Sequence, residues 1–274
     1  MKRNRFKKYF AFSKGGILNG FAYKFSALGW LLGDLVSLII LYFLWQAIYK
    51  NSPVEIINGM TFKEIITYLI IARVSTTLVF SSASFWIIGY DIYEGNIAIS
   101  LIHPINYRYR LLATSFGNFI SRSILMFVPL FTLSLIVLNQ LLRIGYPDIQ
   151  NLLFFLISIL LSFVIVDGLN FLIGQMAIFT NALFGLMIIK DIIFSFFSGS
   201  LLPSSFFPNW LNEVLKFLPF QSMVENPIMI LLGRKTFNQI LMILLIQIAW
   251  VFILEILCHL SFGKLKRHVE SVGG

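Results

Sequence analysis

Four charged residues stand inside stretches that are otherwise apolar: Arg122, Asp167, Lys190 and Asp191. Counted inward at 1.5 Å per residue, the first three lie roughly 12–16 Å deep in their runs. Charge at such depth is costly and either pairs or faces a water-filled cavity. Such a set can fasten helices together, exchange partners between two conformations, or relay protons. The expectation is one ionic cluster joining the third, fourth and fifth apolar runs. Ordinary catalytic chemistry has no foothold. His103, His259 and His268 lack the spacing of a metal site. Gly233-Arg234-Lys235-Thr236 lacks the upstream glycine of a phosphate loop. Scattered serines and three histidines define no nucleophile triad. Glu255 and His259, an i,i+4 pair, are expected to bond each other. No catalytic, metal-binding or cofactor-binding residue emerges.

The elements that position these charges follow from composition. The 274 residues are 58% hydrophobic and 12% charged, with mean hydropathy +0.86. A soluble domain carries about twice that charge. The apolar runs reach about 20 residues, the length that crosses a hydrocarbon core about 30 Å thick. The sequence therefore reads as an all-α polytopic membrane protein. Net charge is +9, and Lys2, Arg3, Arg5, Lys7, Lys8, Lys14 and Lys24 crowd one end while Lys264, Lys266 and Arg267 crowd the other. Such clusters mark cytoplasmic flanks near anionic headgroups. They do not mark a nucleic-acid binder, because no soluble domain carries a binding face. The single cysteine, Cys258, excludes an internal disulfide. The basic N-terminal stretch lacks the short apolar run and cleavage site of a signal peptide.

Taken in order, residues 1–27 place Phe6, Phe10, Ile17 and Phe21 at helical spacing among lysines, the pattern of an interfacial helix. Gly15-Gly16 weakens that helix locally. Six spans follow, near 28–48, 65–88, 111–138, 152–173, 183–202 and 240–260. Asp34 lies shallow in the first, and Trp30, Tyr42, Trp45 and Tyr49 are placed as interfacial anchors. The second holds Arg73 and the hydroxyl run Ser75, Thr76, Thr77, Ser81, Ser82 and Ser84, suited to helix packing or to lining a polar path. Pro129 is expected to kink the third. An even number of spans brings both termini to one side, and about twelve basic residues on cytoplasmic segments against about six outside set that side as cytoplasmic.

Two stretches break this pattern. Residues 89–110, GYDIYEGNIAISLIHPINYRYR, form a loop too polar for lipid, to be met by water or a partner. Residues 203–235 are apolar but cut by Pro203, Pro208, Pro219 and Pro227 into pieces too short to span. Within them Trp210, Leu211, Val214, Leu215 and Leu218 make one helical stripe. This segment reads as a re-entrant or interfacial hairpin capping the outer end of the bundle. Residues 236–262 hold the last span and 263–274 a cytoplasmic tail.

Both stretches carry a resemblance. DIYEGNIAISLIHPINYRY at 91–109 and SGSLLPSSFFPNWLNEVLKFLPFQSMVENPIMILLG at 198–233 are similar to motifs of the permease subunits of type-2 ATP-binding-cassette (ABC) exporters, in the six-span daunorubicin-resistance-like subgroup. FAYKFSALGWLLGDLVSLIILYFLW at 21–45 fits the same subgroup. The resemblance implies half of a translocation path in the cell membrane, paired with a second identical or related permease and with two copies of a cytosolic ATPase. ATP and magnesium would belong to that ATPase. It implies a coupling helix in the first loop, with Asp91, Glu94, Gly95, Asn96, Leu101 and Pro104 as contact residues. It also implies an extracellular gate that includes Pro203, Phe206, Phe207, Pro208, Pro219 and Phe220. The cargo would be a hydrophobic or amphipathic drug, peptide or lipid-like molecule. An ion- or proton-coupled carrier using the intramembrane charges, without an ATPase, is the alternative, and a non-transporting assembly subunit a third.

Overall fold

The computed structural model describes residues 3–22, 24–102, 104–180 and 182–272, with side chains described for 7–22, 29, 32–100, 104–140, 142–180 and 182–267. His103 lies outside the described residues, as do the side chains of Phe6, Trp30, Leu101 and His268. The chain is almost wholly helical. Helices α1 (Arg3–Ala22) and α2 (Lys24–Lys50) lead to a hairpin of β1 (Ile56–Ile57) and β2 (Met60–Thr61), in register Ile56 to Thr61. Then come α3 (Phe62–Val79), α4 (Ser84–Tyr93), α5 (Ile97–Ile102), α6 (Tyr107–Arg122) and α7 (Val128–Leu142). The second half contains α8 (Ile149–Gly174), α9 (Leu183–Phe197), α10 (Asn209–Lys216), α11 (Glu225–Leu231) and α12 (Phe237–Val272).

Among the described residues, four helices are long and apolar enough to cross a membrane: Leu32–Lys50, Tyr107–Gln140, Ile149–Phe179 and Phe237–Arg267. A fifth is the pair α3 and α4 taken together, bent by 44° at their junction. The expected fifth run supplies only the 15 residues of α9, about 22 Å of helix and short of a bilayer core. Half of the α8 span is buried, against 6% of the α2 span. The bundle therefore packs around α8, whose Phe155, Phe163 and Phe171 are fully enclosed, while α2 lies at the edge against α3.

Local chemistry explains the breaks. Thr61 and Glu64 form a reciprocal capping box: Glu64 N donates to Thr61 Oγ1, and Thr61 N to Glu64 Oε2 at 2.8 Å. Pro129 has no amide hydrogen and its ring displaces the carbonyl four residues earlier. The chain accommodates it with a π turn over Ser123–Phe127 between α6 and α7. The glycines of α1 have a different role from the one their propensity suggests. A side chain at Gly117 of α6 would sit 2.1 Å from the Ser13 carbonyl oxygen and 3.0 Å from Gly16 Cα. Paired small residues let α1 lie directly along α6, where Ser13 Oγ donates to Ala113 O at 2.8 Å. Phe10 and Phe21 stay on an exposed face of α1.

Candidate functional site

The polar loop folds as an arm. Helix α4 ends at Tyr93, Gly95 turns the chain at φ 75°, and α5 follows. Only glycine takes that backbone angle without strain, and a side chain there would meet nothing within 4 Å. Glu94 and Asn96 project into solvent, where Asn96 Nδ2 donates to Glu94 Oε2 at 2.9 Å. Asp91 faces inward. Its Oδ2 accepts from Tyr107 Oη at 2.7 Å, Arg110 Nη2 at 3.1 Å and Ser100 Oγ at 3.2 Å. Tyr107 in turn stacks on Phe262 of α12, with ring centroids 5.0 Å apart. Asp91 therefore ties α4 to α5 and α6, a structural engagement the sequence did not distinguish from a surface contact. Pro104 is exposed in the turn into α6, and Leu101 lies on α5.

The junction of α3 and α4, residues 80–83, sits on the most deeply buried ionic group. Asp167 of α8 has no exposed surface. Its Oδ1 accepts from Ser82 Oγ at 2.6 Å and Ser84 Oγ at 2.7 Å, and its Oδ2 accepts from Arg108 Nη1. Arg108 is 4% exposed and its Nε also reaches Glu255 Oε2 at 3.2 Å. Ser115 completes the group, accepting Ala83 N at 3.1 Å and sharing a hydrogen bond with Ser84 at 3.3 Å. Helices α4, α6 and α8 thus meet at one carboxylate, and α12 joins through Glu255 on Arg108.

This corrects the expected cluster. Asp167 pairs with neither Arg122 nor Lys190, because Arg108 of α6 holds that side of it. Lys190 pairs with its neighbour Asp191 at 2.9 Å and lies over the rings of Phe85 and Phe194. Among the described residues Arg122 has no ion pair. Glu255 binds Arg108, and no bond joins it to the exposed His259 among the described residues. Arg108 was hidden because it stands in the polar YRYR run. Its helical register, with Leu111 and Ser115 three and seven residues on, is the signal that puts it on the buried face.

Arg122, Lys190 and Asp191 do come together at a cavity of about 660 Å³ inside the bundle. The Asp34–Arg73 ion pair joins α2 to α3 on its wall. Thr76, Thr77 and Ser82 face it, while Ser75 and Ser81 are buried, so the hydroxyl run both packs and lines a polar space. Phe80, Phe85, Trp86 and Phe194 supply apolar wall.

At the other end, residues 198–235 fold back onto the bundle. Helices α10 and α11 span about 12 and 11 Å, far short of a crossing. Tyr68 Oη donates to Gly199 O at 2.6 Å, and Ser222 O accepts from Ser162 Oγ at 2.7 Å and Gln247 Nε2 at 2.9 Å. Phe206 meets Trp45, Phe207 meets Phe196, and Phe220 meets Phe197, with centroids 5.3, 5.1 and 5.7 Å apart. Pro203 and Pro219 are buried, and Pro208 is exposed at the start of α10. Of the expected apolar stripe on α10, Leu215 is buried and Trp210 and Val214 are exposed. Burial raises the Glu225 carboxyl above the ordinary glutamate range, although Ser204 donates to it through both N and Oγ.

Apolar helices of crossing length around a half-open cavity lined with charged and aromatic residues fit a multi-pass membrane protein. A family model described as ABC-2 family transporter protein matches residues 35–273, and the chain belongs to that family. It is therefore an ABC-type permease, a membrane transport component whose family implies an ATP-binding partner. No curated protein matches the chain.

Proposed function

We propose that the chain is the permease subunit of an ABC exporter, forming half of the path for a hydrophobic or amphipathic cargo and driven by a separate cytosolic ATPase. In this reading a second permease completes the path and two ATPase copies bind ATP and magnesium. Six spans place both termini in the cytoplasm, with α9 and the turn after it serving as the fifth. The single domain then divides at the polar loop and at the proline-broken segment, the latter acting as the extracellular gate.

The observation that carries the reading is the arm. Its tip exposes Glu94 and Asn96, and its root is the 44° bend bonded to Asp167. Force applied to α5 acts on α4, and α4 turns about residues 80–83, where Ser82 and Ser84 hold the wall of the cavity to α8. Moving that joint changes the cavity, so ATP-driven motion alters affinity for cargo. A proton relay through Asp167 is disfavoured, since the carboxylate is already held by Arg108 and two hydroxyls.

Purification of the full chain from its native membrane with its partners tests the proposal. A nucleotide-binding subunit should co-purify, and Glu94→Ala with Asn96→Ala should weaken its retention at least tenfold while leaving the thermal midpoint unchanged. Transport by the chain alone in liposomes without ATP would refute it.

A further inference from the structure

The cavity carries a charge pattern that selects among cargoes. Five charged side chains face it: Asp34, Arg73, Arg122, Lys190 and Asp191. Two of the three cations are matched, Arg73 by Asp34 and Lys190 by Asp191. Arg122 is exposed to the cavity and, among the described residues, without an ion pair, leaving a net charge of +1. Asp167 and Glu255, which share Arg108, do not line the cavity. Arg73, although paired with Asp34, keeps 41% of its side chain exposed at the cavity wall. Asn170, almost wholly buried, also lines the cavity. Thr76, Thr77, Ser82 and Asn118 add neutral polar groups, and Phe80, Phe85, Trp86 and Met187 supply apolar wall.

A guanidinium without a counter-ion, close to apolar wall, is complementary to one kind of molecule. A guanidinium surrounded by low-dielectric walls binds carboxylate or phosphate far better than it does in water. The volume lies within the range of ligand pockets. The geometry points to a binding site for an amphipathic anion, a phosphate or carboxylate headgroup held by Arg122 and Arg73 with its hydrocarbon against the aromatic wall. This rests on the permease reading and narrows its cargo to acidic lipid-like molecules, excluding cationic drugs.

The test uses the purified full chain in neutral maltoside detergent, with no ATPase or nucleotide, so it can fail without touching the partner question. Radiolabelled lysophosphatidic acid should bind saturably. Monoacylglycerol of the same chain length and inorganic phosphate should each compete at least tenfold less well than unlabelled lysophosphatidic acid. Arg122→Gln should lower affinity at least tenfold, and Arg122→Lys should retain most of it. Equal competition by monoacylglycerol would show a site that reads only the tail, and equal competition by phosphate one that reads only a free anion. Either result, an absence of saturable binding, or an unchanged Arg122→Gln would overturn the assignment. The competition series needs only the wild-type chain, so it stands even if a variant fails to fold.

Discussion

Removing the Asp167 carboxylate is the most informative perturbation of the fold. Asp167 and Arg108 are 0% and 4% exposed, so solvent screens their interaction little. Breaking one half of such a buried pair costs about 3–5 kcal/mol, because the other charge loses its buried partner. Glu255 compensates only part of the guanidinium's charge, being 29% exposed and bonded at Nε rather than Nη1. The serines add little to the cost: Ser84 can turn to Ser115, and Ser82 opens on the cavity, where water replaces the lost acceptor. Asp167→Ala should therefore lower the unfolding free energy by about 4 kcal/mol. Asp167→Asn should cost less. Its amide oxygen can face Arg108, which only donates, while its amide nitrogen faces hydroxyls that rotate to accept. Arg108→Met alone should resemble Asp167→Ala, yet the double variant Arg108→Met, Asp167→Asn should lose only about 1–2 kcal/mol, since no buried charge remains unpaired. Denaturation by SDS in mixed micelles measures all four. Additive losses, or single losses under about 1 kcal/mol, would refute the buried pair.

Two further outcomes follow from the geometry. Gly117→Leu forces α1 away from α6, because even the first carbon would overlap Ser13 O; trypsin should then cleave at Lys7, Lys8 and Lys14 faster than in the wild type, and an unchanged rate would show that the crossing is not tight. Glu225 has a folded-state affinity for protons above its unfolded one, so the folded chain binds more protons and stability declines as pH rises from about 4.5 towards the raised folded value. Thermal midpoints of wild type should fall between pH 5 and pH 7.5 more steeply than those of Glu225→Gln, and parallel slopes would remove Glu225 as the cause.

Much of the architecture is legible in the sequence. Apolar runs of spanning length, separated by polar breaks, determine a helical membrane protein, because lipid tolerates no unpaired backbone. The positions of those breaks located both the arm at 89–110 and the folded-back segment at 198–235. The depth of Asp167 was readable too, since rise per residue is fixed in a helix. Its partner was not. Depth along one helix does not say which neighbour faces it, and only the packing of α6 against α8 chose Arg108 over Arg122 and Lys190. The hydroxyl run from Ser75 to Ser84 likewise had two uses in sequence, and the bend at 80–83 assigned both. Gly16, in the Gly15-Gly16 pair, reads as a local weakness because propensity counts one helix at a time. Tertiary structure reversed its meaning, since the side chains absent from Gly16 and Gly117 are what let two backbones touch.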